Sequence, residues 1–124
     1  MQEKSLQKLN DKEYNVVKML QTLKVKRSHA LVIVALAGQK EMKSFEIEKV
    51  TGLCQPEVSN AMSHLMKKDW ISVQQDPFVE QKGRPYNLYQ LKYPLKAIIK
   101  ALEKQILQEQ QETFKIITRL KERI

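Results

Sequence analysis

Gly52 and Pro56 stand four residues apart between two segments of helical periodicity, and this spacing constrains the fold more than any other feature. Glycine ends helices because it adopts the left-handed conformation without strain, whereas proline is tolerated only in the first helical turn. One helix must therefore end at Gly52, and the next must begin near Cys54 or Gln55. A turn of about three or four residues joins the two helices, so they must pack closely together.

Apolar residues recur at helical spacing along most of the chain, and short polar residues mark several helix starts. Asn10 is expected to cap the first helix, with Glu13 reaching back to it, while Ser28 and Ser44 are expected to cap the second and third. Gly38 stands where the second helix is expected to end. Helices are predicted over residues 11–24, 28–38, 44–52, 55–68 and 94–124.

The run from Ala30 to Ala37 is entirely apolar, which fits either a buried helix or a buried strand. The β-branched residues Val32, Ile33 and Val34 favour a strand, whereas the alanines and leucines around them favour a helix. Because Gly38 follows at a position suited to a helix end, we interpret the run as a buried helix. It is too short for a transmembrane span, which takes roughly 20 apolar residues.

The helix predicted over 55–68 is amphipathic. Val58, Met62, Leu65 and Met66 are expected to form its buried face. Seven other residues of its first three turns, all polar except the proline, then face outward: Gln55, Pro56, Glu57, Ser59, Asn60, Ser63 and His64.

After this helix the periodicity changes to that of a short hairpin. We predict a strand at 70–73, a polar loop at about 76–85 and a return strand at 86–91. Pro94 then opens a segment without further proline or glycine, whose apolar stripe is interrupted over 108–113. A helix of that length is roughly 45 Å long, more than a core of this size can cover, so it needs a partner.

This order of helices and hairpin is typical of a winged helix–turn–helix. The stretch SFEIEKVTGLCQPEVSNAMSHLMKKDWI, residues 44–71, resembles the DNA-binding core of the MarR, ArsR and TrmB-like regulators, and QKGRPYNLYQL, residues 81–91, resembles their wing. The resemblance covers about residues 28–92. Two positions depart from the pattern: Cys54 replaces the usual Ser or Thr cap, and Asp69 replaces a common Gly.

The resemblance implies a mainly α fold with a small β-hairpin wing and three regions. An N-terminal helix in 1–27 and a long C-terminal helix in 94–124 are expected to pair two subunits around the DNA-binding domain, 28–93. The function implied is sequence-specific binding of double-stranded DNA by a homodimeric transcriptional regulator. The recognition helix, about 55–68, is expected in the major groove, and the wing, about 76–85, on the backbone or in the minor groove.

The chemistry of the side chains suggests how each part contacts DNA. Gln55 and Asn60 can each form paired hydrogen bonds with adenine, and Glu57 can accept one from cytosine N4. The other outward residues of the helix are expected to share the reading of bases. Contacts to the DNA backbone are expected from Lys43, Ser44, Lys67, Lys68, Lys82, Gly83 and Arg84.

Other readings of the same residues remain open. A polar face is also typical of an ordinary solvated helix, and Lys82–Arg84 also fits a solvated turn. A non-specific architectural or partition DNA-binding protein, or a winged-helix module that binds proteins, would carry the same pattern. The sequence lacks a phosphate loop, a nucleophile elbow and clustered metal ligands, so neither an enzyme, a metal site nor a cofactor is expected.

The charge and cysteine content suit an intracellular DNA-binding protein. The net charge of +8 points to a polyanionic partner, DNA or an anionic membrane surface, yet only +1 of it lies in residues 54–93. The N-terminus does not read as a signal peptide, so we expect a cytoplasmic protein with no membrane partner. The single cysteine, Cys54, is interpreted as a capping residue in preference to a redox switch. Nothing in the sequence identifies an effector.

Overall fold

The computed structural model describes residues 7–75 and 87–124, which fall into two compact units divided between Tyr93 and Pro94. The predicted wing-tip residues Lys82, Gly83 and Arg84 lie outside the described residues. The first unit contains four helices and three short strands among its described residues, and the second is a single long helix. The elements are α1 (Asp11–Thr22), α2 (Arg27–Gly38), β1 (Met42–Lys43), α3 (Ser44–Thr51), α4 (Gln55–Lys67), β2 (Ile71–Gln75), β3 (Asn87–Leu91) and α5 (Leu95–Arg123).

Helix α1 begins with the reciprocal cap predicted from its sequence. The Asn10 side chain accepts a hydrogen bond from the Glu13 N–H at 2.8 Å, and the Glu13 carboxylate accepts one from the Asn10 N–H at 2.9 Å. The helix ends at Thr22, two residues before the predicted end, because Lys24 adopts the left-handed conformation with φ 70°. This reversal turns the chain into α2.

Helix α2 forms the centre of the core, and its seven consecutive residues from Ala30 to Leu36 are all buried. They pack among α1, α3, α4 and β3, which confirms the helical interpretation of the apolar run. The predicted cap at Ser28 is wrong: the helix starts at Arg27, so Ser28 lies in its first turn and Lys26 takes the N-cap position. Gly38 is the last helical residue, and extended Gln39 takes the cap position.

The sheet has one strand more than the predicted hairpin. Strand β3 is central and pairs antiparallel with β2 on one side, where Ile71 lies opposite Leu91, and with β1 on the other, where Met42 lies opposite Tyr89. Strand β1 was missed because two residues carry no alternating pattern. Its extended conformation comes from the pairing with β3.

The pairing of β1 with β3 also changes where α3 starts, relative to its predicted cap. Lys43 is extended as part of β1 and takes the N-cap position, while the Glu46 carboxylate accepts a hydrogen bond from the Lys43 N–H at 2.7 Å. Ser44 is therefore the first residue of the helix, and its predicted role as the cap is wrong. The first unit as a whole is a winged helix–turn–helix, mainly helical with a small antiparallel sheet.

Candidate nucleic-acid interface

The turn between α3 and α4 sets the direction of the outward-facing helix. Gly52 ends α3 with φ 79°, and its N–H donates to the Glu48 carbonyl at 2.8 Å, as the Gly52–Pro56 spacing predicts. The Thr51 hydroxyl donates to the Ile47 carbonyl at 2.7 Å and accepts from the Leu53 N–H at 3.2 Å. Because Thr51 and Leu53 are both buried, the turn is fixed from both ends.

Replacing Gly52 with alanine is expected to destabilise the fold by about 1–2 kcal/mol, because a Cβ is strained at positive φ even where space is open. Apart from Gly52 and its two chain neighbours, no heavy atom of the described residues lies within 4 Å of the position that this Cβ would occupy, so no steric clash adds to the backbone strain. Urea unfolding of Gly52→Ala measures it. Asparagine tolerates the left-handed region, so Gly52→Asn is the control and is expected to lose less; equal losses would refute the explanation.

The cap of α4 explains how cysteine replaces the usual serine or threonine. The Cys54 thiol donates to Oε1 of Glu57 at 3.0 Å, and the Cys54 N–H donates to the same oxygen at 3.1 Å. These two hydrogen bonds, the thiol's first, lower the pKa of the Glu57 carboxyl. The ionised Glu57 therefore stabilises the folded state at any pH above the usual pKa of a carboxyl group. This stabilisation is lost as the pH falls through the lowered pKa of Glu57. Both hydrogen bonds use Oε1 of Glu57, so Oε2 is the oxygen left to accept a hydrogen bond from a DNA base.

Helix α4 presents the outward face that the sequence predicts. Val58, Met62 and Leu65 are buried as expected, together with Ala61, whereas Met66 is 40% exposed, so its predicted burial is wrong. Each residue turns the helix by about 100°, so Met66 lies at the edge of the face whose centre is formed by Val58 and Leu65. The seven predicted base-reading residues are all exposed: Gln55, Pro56, Glu57, Ser59, Asn60, Ser63 and His64.

The end of α4 is tied to the hairpin. Asp69 adopts the left-handed conformation with φ 65°, and its carboxylate forms an ion pair with Lys92, just after β3. This hydrogen bond raises the pKa of Lys92. The Lys92 N–H also donates to the Trp70 carbonyl at 2.8 Å. The left-handed Asp69 therefore does what glycine commonly does at this position and adds a contact that glycine lacks.

The predicted backbone-contacting residues fall into two groups within the described part of the chain. Lys67 is exposed, and the Lys68 ammonium lies 4.8 Å from the centroid of the Trp70 ring, which holds it close to the helix end. Lys43 and Ser44 are both partly exposed where β1 meets α3, with the Lys43 ammonium 6.0 Å from the Phe45 ring centroid. These two groups lie at the end of α4 and at the start of α3, respectively.

A histidine pair adjoins this surface and was not predicted. His29 of α2 and His64 of α4 stack with their ring centroids 4.4 Å apart and their planes inclined by 26°. Burial lowers the pKa of His29, and His64, Lys26 and Lys68 lower it further. The residues are 35 positions apart in sequence, so only the packing of α2 against α4 brings them together.

Two cations at the start of α2 extend the same surface. Lys26 and Arg27 are exposed, and both help to lower the pKa of Glu57 on α4. Lys26 also acts on His29. No role was predicted for these two residues, because only the fold brings the start of α2 beside the exposed face of α4.

Neither a metal site nor a membrane-spanning helix is found among the described residues. Within residues 7–75 and 87–124, no group of three or more His, Cys, Asp or Glu side chains could hold a metal ion. The helices in these same ranges include none with the length and apolarity needed to cross a bilayer.

Several known structures share this fold. BpsR of Bordetella bronchiseptica, whose DNA binding is regulated by 6-hydroxynicotinic acid, is 21% identical, with a TM-score of 0.54 over 83% of this chain and 79% of its own. The multiple antibiotic resistance repressor MarR is 16% identical, with a TM-score of 0.55 over 85% and 74%.

A third similar structure is TrmBL2, an archaeal chromatin protein with a novel mode of DNA binding. It is 20% identical, with a TM-score of 0.59 over 87% of this chain, which spans only 41% of the TrmBL2 chain. No family model and no curated protein sequence matches this chain. The fold is therefore the winged helix–turn–helix that MarR-type and TrmB-like regulators share, as the sequence resemblance implied.

Proposed function

We propose that this protein is a homodimeric transcriptional regulator that binds a specific sequence in double-stranded DNA. The observation that carries the proposal is the face of α4: seven polar or small side chains are exposed on a helix whose start is fixed by the turn at Gly52 and whose end is tied to the hairpin. Such a helix presents its N-terminal residues to base edges in the major groove. The three similar structures described above, two of proteins whose DNA binding was studied and one of a repressor, support this assignment.

In the proposed complex, Gln55 and Asn60 read adenine through paired hydrogen bonds, and Oε2 of Glu57 accepts from cytosine. Pro56, Ser59, Ser63 and His64 complete the contact with the groove. The DNA backbone is held by Lys43, Ser44, Lys67 and Lys68, and by Lys82, Gly83 and Arg84 of the wing.

The proposed dimer is supported by the apolar side chains that α1 and α5 leave exposed. Met19 and Leu23 are exposed at the end of α1, and α5 exposes Phe114, Ile116 and Leu120 in its last turns. A soluble chain seldom leaves such a series uncovered. A symmetric dimer places two recognition helices about one helical turn of DNA apart, ~34 Å. Its DNA target implies a cytoplasmic location.

An architectural DNA-binding protein is the second candidate, because one similar structure is a chromatin protein and most of the positive charge lies outside residues 54–93. The two candidates differ in sequence preference. The proposed regulator binds one duplex typically 10³–10⁷ times more tightly than random DNA, whereas a coating protein shows a steep salt dependence and no preference.

The deciding experiment selects bound fragments from a pool of random duplexes and then titrates the selected and scrambled duplexes at several salt concentrations. A selected motif with a clear preference supports the regulator. Equal affinities at every salt concentration support the architectural protein. Absence of binding even at low salt contradicts both and favours a winged-helix module that binds proteins.

Replacing Arg84 with alanine is expected to weaken binding to selected and random duplexes alike and to lower the salt slope by about 1, because a backbone contact is lost. Fluorescence titration over a salt series measures both quantities. Lys12→Ala removes an equal charge from the exposed side of α1 and serves as the control. If Arg84→Ala changes no more than Lys12→Ala, the wing does not contact DNA.

A further inference from the structure

The stacked pair of His29 and His64 has no part in the core, yet it joins two helices at the edge of the proposed DNA-binding surface. These are the only histidines in the chain, and their ring centroids are 4.4 Å apart. His64 is exposed on the outward face of α4, and His29 is partly exposed near the start of α2. Histidine is the side chain whose charge changes most readily between pH 5 and 8.

The groups that act electrostatically on His29 are all cations or bases: Lys26, Lys68 and the His64 ring. Among the described residues, no carboxylate of α1, α3 or α4 is one of these groups, not even Glu57, on which Lys26 also acts, and β2 and β3 carry no charged side chain. A proton on His29 therefore meets a second imidazole and two ammonium groups, so the free protein disfavours it.

We propose that DNA binding is coupled to proton uptake by the His29–His64 pair, with a backbone phosphate supplying an anion beside the stacked rings. This inference rests on the proposed DNA-binding function and assigns it a regulation by pH. Lys26 and Arg27 precede His29 at the start of α2, and Lys67 and Lys68 follow His64 by one turn at the end of α4. These four cations are exposed or partly exposed, and such a group of positive charges attracts a phosphate. A phosphate beside the rings stabilises the imidazolium form and turns a repulsive cluster into a paired one.

The sign follows from linkage. The pair binds a proton more tightly in the complex than in the free protein, so the affinity for DNA increases as the pH falls. This added affinity is lost as the pH rises through the pKa of the pair in the complex. Uptake of one full proton changes the affinity by up to about tenfold per pH unit. Between about pH 8 and pH 6 we expect an increase of roughly tenfold, since histidine titrates over only part of that range.

The test is a fluorescence anisotropy titration of a labelled duplex at constant ionic strength from about pH 6 to about pH 8. Wild type is compared with the double variant His29→Gln/His64→Gln and with Lys67→Ala, which loses a nearby cation that does not titrate in this range. We expect tighter binding at low pH for wild type, a flat profile for the double variant, and weaker binding with an unchanged pH slope for Lys67→Ala.

Each result decides the matter. Equal slopes for wild type and the double variant, or binding by wild type that is independent of pH, overturn the coupling but leave the DNA-binding function intact. Absence of wild-type binding at every pH contradicts the proposed function itself, and the coupling with it. NMR titration of the histidine ring protons gives a second readout: the pKa of at least one ring must rise when DNA is added, and the coupling is wrong if neither rises.

Discussion

Replacing Asn60 with alanine is expected to weaken binding to the preferred duplex by roughly 5- to 150-fold, the equivalent of about 1–3 kcal/mol. Asn60 is exposed on α4 one turn after Pro56, so its amide can donate to one edge atom of adenine and accept from another. Alanine removes both hydrogen bonds and leaves the buried face of the helix unchanged. Gln55→Ala is expected to act in the same way at the first residue of the helix.

The loss must be specific to sequence if these residues read bases. Titration of each variant against the selected duplex and a scrambled one separates the two contributions, because a base contact is lost only on the selected duplex. Asn15→Ala, which removes an exposed asparagine from α1, is the matched control and should bind both duplexes as wild type does. Equal losses on both duplexes for Asn60→Ala would show that the residue does not read bases.

The parts of the fold that the sequence predicts are those determined by neighbouring residues. Asn10 and Glu13 form a cap within one turn, and Gly52 and Pro56 end and begin helices through their own backbone restrictions. Such signals act over at most four residues, but long-range pairing can override them, as it does at the predicted Ser44 cap. Those at Gly52 and Pro56 were sufficient to place α4, and the apolar periodicity of that helix identified its exposed face.

The features that the sequence did not predict arise between segments that are distant along the chain. Strand β1 exists because Met42 meets Tyr89 across the sheet, and that pairing in turn moves the start of α3 from Ser44 to a cap at Lys43. The stack of His29 on His64 likewise depends on the packing of two helices. No local pattern encodes these contacts, so residue types alone gave neither the third strand nor the histidine pair.

The same distinction applies to the charge of the chain. The net charge of +8 indicates a polyanionic partner without locating it, and most of it lies outside residues 54–93. The fold brings two of these cations close to the candidate site, since Lys26 and Arg27 act electrostatically on Glu57 of α4. Sequence position alone therefore underestimates the positive potential around α4.

Replacing Ile117 with glutamate is expected to convert the proposed dimer into a monomer. The last turns of α5 expose a series of apolar side chains within 11 residues: Phe114, Ile116, Ile117, Leu120 and Ile124. In a symmetric interface each substitution occurs twice, and an unpaired carboxylate buried among apolar side chains costs several kcal/mol. Dimer affinity is thus expected to fall by about two orders of magnitude or more.

Sedimentation equilibrium over a range of protein concentrations measures this change, with circular dichroism to confirm that α5 remains helical. Gln108→Glu is the matched control: it introduces the same charge on the same helix about two and a half turns earlier, and so on the opposite face. DNA binding gives a second readout, because a monomer contacts one half-site and loses the affinity that two linked half-sites provide. A dimer that survives Ile117→Glu would exclude this face of α5 from the interface and leave the exposed end of α1 as the alternative.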